Sequence, residues 1–329
     1  MTGRDIAKHN FLTRAGWADA QRHFLAGDAS DRSYERLSAP NGTAVLMDAP
    51  PGKGDEPAAF LNIADHLRQL GLSAPATIAQ DLAQGFLLLE DLGDGLFARL
   101  ATENPAMEAP LYAAATDVLL HLHRYPVPPG LPRLTPADWA EAAAFAFDWY
   151  RFAATDELAD TAAFRHALTR LIARHQGPTV LILRDYHAEN LLWLPDRSGI
   201  ARVGLLDFQL AQSGQPAYDL VSLLQDARRD VSPATEAQMI ARFQPDADFS
   251  DSYAVWGAQR ALRILGVFAR LCLVADKVGY LPLLPRVWAQ LQRNLAHPAL
   301  AELREPCAAL PAPTPKILDR IGAQCGAFR

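Results

Sequence analysis

The sequence predicts an α+β protein: a small antiparallel sheet with one helix, followed by a mainly helical region that holds a short β insert. Residues 24–92 carry apolar runs broken by turn residues, the mark of hairpin-linked strands. Most of the chain beyond residue 94 repeats its apolar residues at helical spacing. In between, two short apolar runs, LILRDYHAENLLWL and GLLDFQ, are each interrupted by a polar knot. The boundary falls at residue 92, which makes a first domain of 1–92 and a second of 93–329.

A short helical N-terminus leads into strands and turns over FLAGDASDRSYERLSAPNGTAVLMDAP. Asn41-Gly42 is a strong hairpin signal, since both residues tolerate the positive φ of a tight primed turn, and it joins YERLSA to TAVLMDA. PPGKGDEP reads as a loop. PAAFLNIADHLRQLGL reads as a helix with Phe60, Ile63, Ala64, Leu67 and Leu70 on one face and Gly71 at the stop position. ATIAQDLAQGFLLLEDLG forms two more strands about a turn at Gln84-Gly85. Farther on, Leu111, Ala115, Val118, Leu119 and Leu122 mark a helix closed by PVPPGLP. PADWAEAAAFAFDWYRF and ELADTAAFRHALTRLIARH are two further helices. The knots sit on short strands, and the chain is helical again from Ala217. Roughly the last 25 residues, with PCAALPAPTP, read as a loosely packed tail.

At 329 residues, half of them apolar and 21% charged, the chain has a globular balance and enough length for a sizeable core. A formal charge of −6 offers no basic footprint for nucleic acid. ALRILGVFARLCLVA, the longest apolar region, contains Arg263 and Arg270 and is too short to span a bilayer, and MTGRDIAKHN lacks the apolar core of a signal peptide. Cys272, Cys307 and Cys325 are odd in number and far apart, so neither a disulfide framework nor a zinc knuckle is indicated. These readings describe a cytoplasmic monomer without membrane or nucleic-acid partners. Its four lysines, Lys8, Lys53, Lys277 and Lys316, leave few candidates for lysine chemistry.

The knots carry the chemistry. Asp185 ends an apolar run, Asn190 follows five residues later, and Asp207 ends the next run. An aspartate at a strand end can take a proton from a substrate hydroxyl, and an amide and a second aspartate can hold a metal from two sides. Phosphoryl transfer from Mg-ATP needs that set, a base for the acceptor and hard oxygens for magnesium. One such aspartate is most often a turn former; the three together favour catalysis. His121 and His123 point to different helix faces, and GKG at 52–54 lacks the Ser/Thr of a phosphate loop.

LRDYHAENLLW with GLLDFQLAQSGQPAYDL resembles the catalytic segment of the aminoglycoside phosphotransferase and choline kinase-like family, which shares the protein-kinase fold. GDASDRSYERL, MDAPPGKGDEP, GFLLLEDLGD, YDLVSLL and QRALRILGVFARL are similar to blocks of the bacterial anomeric N-acetylmuramate/N-acetylglucosamine kinases of cell-wall recycling. The resemblance implies a bilobal kinase-like fold with ATP between the lobes, and a small-molecule kinase that phosphorylates a sugar hydroxyl. It makes Asp185 the base and Asn190 and Asp207 the Mg2+ ligands. Asp219 would brace the catalytic loop, although a carboxylate at a helix start has its own local explanation. Gly27 and Ser30 would belong to the hairpin over the ATP phosphates, and Glu90, Asp91 and Leu92 to the hinge that holds adenine.

Two departures stand out. Leu183 occupies the place of the family's catalytic-loop histidine, and Met47-Asp48 stands where a kinase has its phosphate-pairing lysine. An aspartate facing the triphosphate would repel it, so Arg32 or Lys53 is expected to supply the charge, with Glu56 nearby at a helix start. For the acceptor, the candidates are His187, Trp149, and Arg260 and Arg263 from an arginine stripe that Arg270 completes. The plainer alternatives are a packed histidine, a core aromatic and a solvated helix face. Other readings of the same fold are an aminoglycoside, choline or metabolite kinase, and outside catalysis a nucleotide-binding pseudokinase that serves as an interaction module.

Overall fold

The computed structural model describes residues 2–27, 32–40, 42–52, 57–244 and 247–328. Contacts group the chain into two compact units, Met1–Leu122 with Leu183–Ala211, and His123–Ile182 with Gln212–Arg329. The first unit thereby takes in the helices after the sheet and both polar knots, a different grouping from a division at residue 92.

In the first unit α1 (Gly3–Arg14) begins at a reciprocal cap between Thr2 and Asp5. Five strands follow, interrupted by one helix: β1 (Gln21–Gly27), β2 (Ser33–Ala39), β3 (Gly42–Asp48), α2 (Pro57–Gln69), β4 (Thr77–Asp81) and β5 (Phe86–Glu90). They form one antiparallel sheet in the order β1-β2-β3-β5-β4. The expected hairpin is present, with Ala39 paired to Gly42. Side-chain alternation gives the sheet two different faces. Leu37, Ala44, Leu46, Phe86 and Leu88 pack with Phe11, Leu12 and Trp17 from the α1 side, whereas Tyr34, Arg36, Val45 and Leu89 line a cavity on the other.

Helix α2 buries Phe60, Ile63, Ala64 and Leu67, the expected stripe. It stops where Gly71 turns left-handed (φ 78°) and the Leu72 amide reaches back to Leu67. After β5 come α3 (Phe97–Glu103) and α4 (Glu108–Leu122). The knots flank a short hairpin, Leu191–Trp193 against Val203–Leu205. It is fastened to the linkers around the sheet: the Leu205 amide donates to Ser73 and the Trp193 amide to Gly95.

The second unit is helical: α5 (Pro136–Phe145), α6 (Phe152–Thr155), α7 (Ala162–Arg174), α8 (Ala217–Leu224), α9 (Pro233–Phe243), α10 (Ala247–Ala275), α11 (Leu284–Leu295), α12 (Arg304–Cys307) and α13 (Pro315–Gly322). A π-helical turn, Ala146–Arg151, joins α5 to α6. One short strand pair, Val180–Ile182 with Gln212–Gly214, completes it. The 29-residue α10 is the spine of this unit. Its Trp256 packs edge-on to Trp139 of α5 and Tyr218 of α8, with ring centres 5.1 and 5.8 Å away. Among the described residues no helix is long and apolar enough to cross a membrane.

Two expectations fail here. The C-terminal residues are not a loose tail: Leu310 and Ile321 are buried, and the Tyr150 hydroxyl donates to the Pro311 carbonyl at 2.7 Å. Proline-rich sequence reads as loop, yet Thr314 caps α13 with Pro315 at its first position, where the missing N–H costs nothing. The cysteines are not all unpaired either. Cys272 of α10 and Cys325 form a disulfide with Cα atoms 4.6 Å apart, and Cys307 is a buried free thiol. Spacing along the chain carried no information about this pair, because the fold returns the terminus to α10.

Candidate active site

The first knot is a tight loop locked at both ends. Arg184 is left-handed (φ 72°), and the Asp185 amide turns back onto the Leu183 carbonyl at 2.9 Å. A non-glycine residue in that conformation is strained and is retained where the surroundings enforce it. They do so here: the Tyr186 hydroxyl donates to the Ala115 carbonyl at 2.9 Å, and the Ala98 amide to the Ala188 carbonyl at 3.1 Å. Asn190 Nδ2 donates to the Asp185 carbonyl at 2.9 Å, which closes the five-residue span. The side chain of Asp185 stays half-exposed.

The second knot lies against the first, through the Leu206 amide and the Asn190 carbonyl (3.0 Å). Asp207 is also left-handed (φ 55°). Its Oδ1 accepts from Gln209 Nε2 at 2.7 Å and lies 3.4 Å from the Arg32 guanidinium. Arg32 is buried, 6% exposed. His187 is buried with Nε2 3.4 Å from Asn190 Nδ2. Because Asn190 spends its amide NH2 inside the loop, its oxygen is turned outward. An amide oxygen and a carboxylate are the hard donors that magnesium prefers, so these residues fit that ion.

Beside the knots lies a cavity of about 450 Å³ lined by Val45, Leu89, Leu92 and Leu206, together with Gly27, Asn190 and Asp207. A cavity with apolar walls and a few convergent polar groups is the usual form of a small-molecule site. Along the expected hinge the side chains are already engaged. Glu90 is ion-paired with Arg197 and accepts from the Ala76 amide at 3.1 Å, and Asp91 pairs with Arg36 at 2.8 Å. What this segment can offer a ligand is therefore its backbone.

Asp48 does not face the cavity. It lies on the α1 side of β3, in ion pairs with Arg4 (2.5 Å) and Lys8 (2.9 Å), and Lys8 also holds Glu35 at 2.6 Å. The feared repulsion is absent because strand alternation turns residue 48 away from the face that carries Val45. Met47 shares that face and is buried. Ser30, Lys53 and Glu56 lie outside the described residues.

In the second unit Asp219 is fully buried in the first turn of α8. Arg260 is buried at 6% exposure, Arg263 is half-buried and Arg270 is exposed, so the stripe is not one solvated face. The Arg270 guanidinium sits 5.5 Å over the Trp149 ring. Ten residues of helix, about 15 Å, separate Arg270 from Arg260, so Trp149 and Arg260 are not brought together. Tyr150 is core. Sequence reading missed Arg36 and Arg197, which hold Asp91 and Glu90. Arg36 was legible as a residue two positions from Tyr34 on one strand face; Arg197 had no local signal.

Residues 22–255 match the APH phosphotransferase enzyme family. The chain belongs to this family. Among relatives of the phosphotransferase, an N-acetylmuramate/N-acetylglucosamine kinase of Caulobacter vibrioides is 40% identical, covering 92% of this chain and 95% of the relative. A kinase of the same name from Pseudomonas aeruginosa is 32% identical, covering 90% and 91%. In fold, the phosphotransferase is similar to a choline/ethanolamine kinase family protein from Mesorhizobium loti (TM-score 0.61, 15% identity, covering 97% of this chain and 99% of that one). It is also similar to the streptomycin-ATP ternary complex of APH(2'')-IIa (TM-score 0.59, 13% identity, covering 92% and 99%). The bilobal α+β kinase-like fold is thus established.

Proposed function

We propose that this phosphotransferase moves the γ-phosphoryl group of ATP to N-acetylmuramate or N-acetylglucosamine, at the anomeric hydroxyl, in cell-wall recycling. The observation that carries the reading is the 40% identity, over nearly the whole chain, to a relative named for those two sugars. Asp185 takes the proton of the attacking hydroxyl, and the anchors of its loop fix the carboxylate where the acceptor must arrive. Adenine lies against Val45, Leu89 and Leu206 and bonds the backbone of residues 90–92, the expected N-lobe being 1–92. Gly27 and Ser30 are the phosphate contacts of the expected N-lobe.

Asn190 and Asp207 hold Mg2+, which when bound offsets the charge of the phosphates. Arg32 supplies the cation that Met47 cannot, and its burial beside Asp207 supports it over Lys53. Asp219 braces the catalytic loop. Arg260, Arg263 and His187 contact the acceptor, and Trp149 would reach only a distant part of it.

An ADP-release assay with both sugars, kanamycin and choline tests the reading. Turnover of the sugars with a product whose phosphorus signal couples to the anomeric proton is expected. A 6-phosphate, or preference for kanamycin, would move the acceptor assignment elsewhere. Nucleotide binding without transfer to any acceptor would favour the pseudokinase.

A further inference from the structure

Residues 90–94, EDLGD, continue from the end of β5 along the cavity, and all five line it. Three carboxylates in five residues would repel one another and any phosphate nearby, yet each of them is held. Arg197 Nη2 donates to Glu90 Oε1 at 2.5 Å, and the Ala76 amide donates to Oε2 at 3.1 Å. Arg36 reaches over from β2 and takes the other two. Its Nη1 donates to Asp94 Oδ1 at 2.7 Å, its Nη2 to Asp91 Oδ1 at 3.0 Å, and its Nε lies 2.8 Å from Asp91 Oδ2. Nη2 also donates to the Gly93 carbonyl at 3.3 Å.

The Asp91 carboxylate is the centre of this arrangement. Its side chain is 6% exposed, and Oδ1 accepts from the Gly93 amide at 3.0 Å as well as from the guanidinium. Gly93 is left-handed (φ 81°), and nothing lies within 4 Å of where a Cβ would stand, so glycine is here for its backbone and not for room. That φ is what a type II turn asks of its third residue, and types I and II differ by a half-turn of the peptide before it. In this segment that peptide is Leu92–Gly93. Glycine makes the half-turn easy; the bond from the Gly93 N–H to Asp91 opposes it. A trans peptide carries its N–H and C=O on opposite sides, so pinning the Gly93 N–H also fixes the direction of the Leu92 carbonyl. Arg36 holds the carboxylate that does the pinning.

We propose that Arg36, acting through Asp91, selects the base of the donor nucleotide: the pinned Leu92–Gly93 peptide accepts adenine and rejects guanine. Arg36 and Asp91 are positioning residues in this scheme. It rests on the reading that the backbone of residues 90–92 bonds the base, and deepens it. At position 6 adenine offers an N–H donor where guanine offers a carbonyl acceptor. A carbonyl held towards the base bonds adenine. Guanine sets oxygen against oxygen there, and relief requires the half-turn that Asp91 opposes.

Calorimetry with ADP and GDP in the presence of Mg2+ reads the base without any acceptor. The wild type is expected to bind ADP at least about 100-fold more tightly than GDP. Arg36→Gln and Asp91→Ala should each lower that ratio about 10-fold, the worth of one lost hydrogen bond, and Arg36→Lys should recover part of it. Because both residues act on one peptide, the double variant should shift the ratio no further than the larger single change. Melting temperatures are recorded alongside; a role in stability alone would weaken both nucleotides alike and leave the ratio where it was. A wild type that binds the two equally, a ratio that neither variant moves, or shifts that add in the double variant would each overturn the assignment. If the wild type bound neither nucleotide, the ATP reading itself would fall and this lock with it, whereas failure of the sugars as acceptors would leave the lock standing.

Discussion

Asp185 and Asp207 occupy different parts of one constellation, and their variants should separate the parts. Asp185→Asn keeps the side-chain shape and the carbonyl that Asn190 grips. Turnover should fall by about 10²–10⁴, the usual worth of a catalytic base, while ATP affinity measured by calorimetry stays near that of the wild type. Asp207→Ala removes a hard donor and the partner of Arg32, and should weaken Mg-ATP binding as well as turnover. Arg32→Ala is expected to raise the KM for ATP; if it does not and Lys53→Ala does, the replacement cation is Lys53. These residues could be read as candidates from sequence because phosphoryl transfer asks for a carboxylate, an amide and a second carboxylate at strand ends. Asp48 misled for a physical reason. One position along a strand reverses which face a side chain joins, and only the structure shows which register holds.

Helix α1 makes the same point at the scale of an element. It read as a short helix with no stated task, yet its Lys8 neutralises Glu35 and Asp48 on the underside of the sheet. Lys8→Met should destabilise the protein by about 1–3 kcal/mol, less than a fully broken buried pair, because Asp48 keeps Arg4 and Glu35 keeps Arg22. The KM for ATP should not move, because Lys8 lies across the sheet from the cavity. Urea titration and ATP kinetics on the same variant check both halves, and a raised KM would make Lys8 the missing phosphate cation. The β1–β3 meander, the β4–β5 hairpin and α2 were readable in advance, from the Asn41-Gly42 signal, the turn at Gln84-Gly85, the 3.6 periodicity and Gly71. The contacts of α11 were not, since nothing local says that Arg286, Gln290 and Asn294 reach a loop some sixty residues earlier.

For the whole molecule the measurable consequences lie in how it comes apart. Burial against Phe243 lowers the His123 imidazole from 6.5 to about 4. Between those values the unfolded chain binds a proton that the folded chain does not. Stability should be full above pH 6.5 and fall towards pH 4, by about 3 kcal/mol at most from this group. His123→Leu should flatten that slope in denaturation series run at pH 7.5, 6 and 5. Breaking the Cys272–Cys325 bond, which links residues 53 apart, should cost about 4 kcal/mol through the entropy of the opened loop, read as a lower melting temperature in reductant. Pairing those two sulfurs also leaves the chain with a single thiol. Cys307 is 4% exposed and burial pushes its pKa up to about 12, so it is neither accessible nor ionised while its surroundings stay closed. The protein therefore carries a built-in reporter of its own openings. The rate at which a thiol reagent labels the native, oxidised chain should count excursions of the α12 region, with no probe engineered in and no background from a second cysteine.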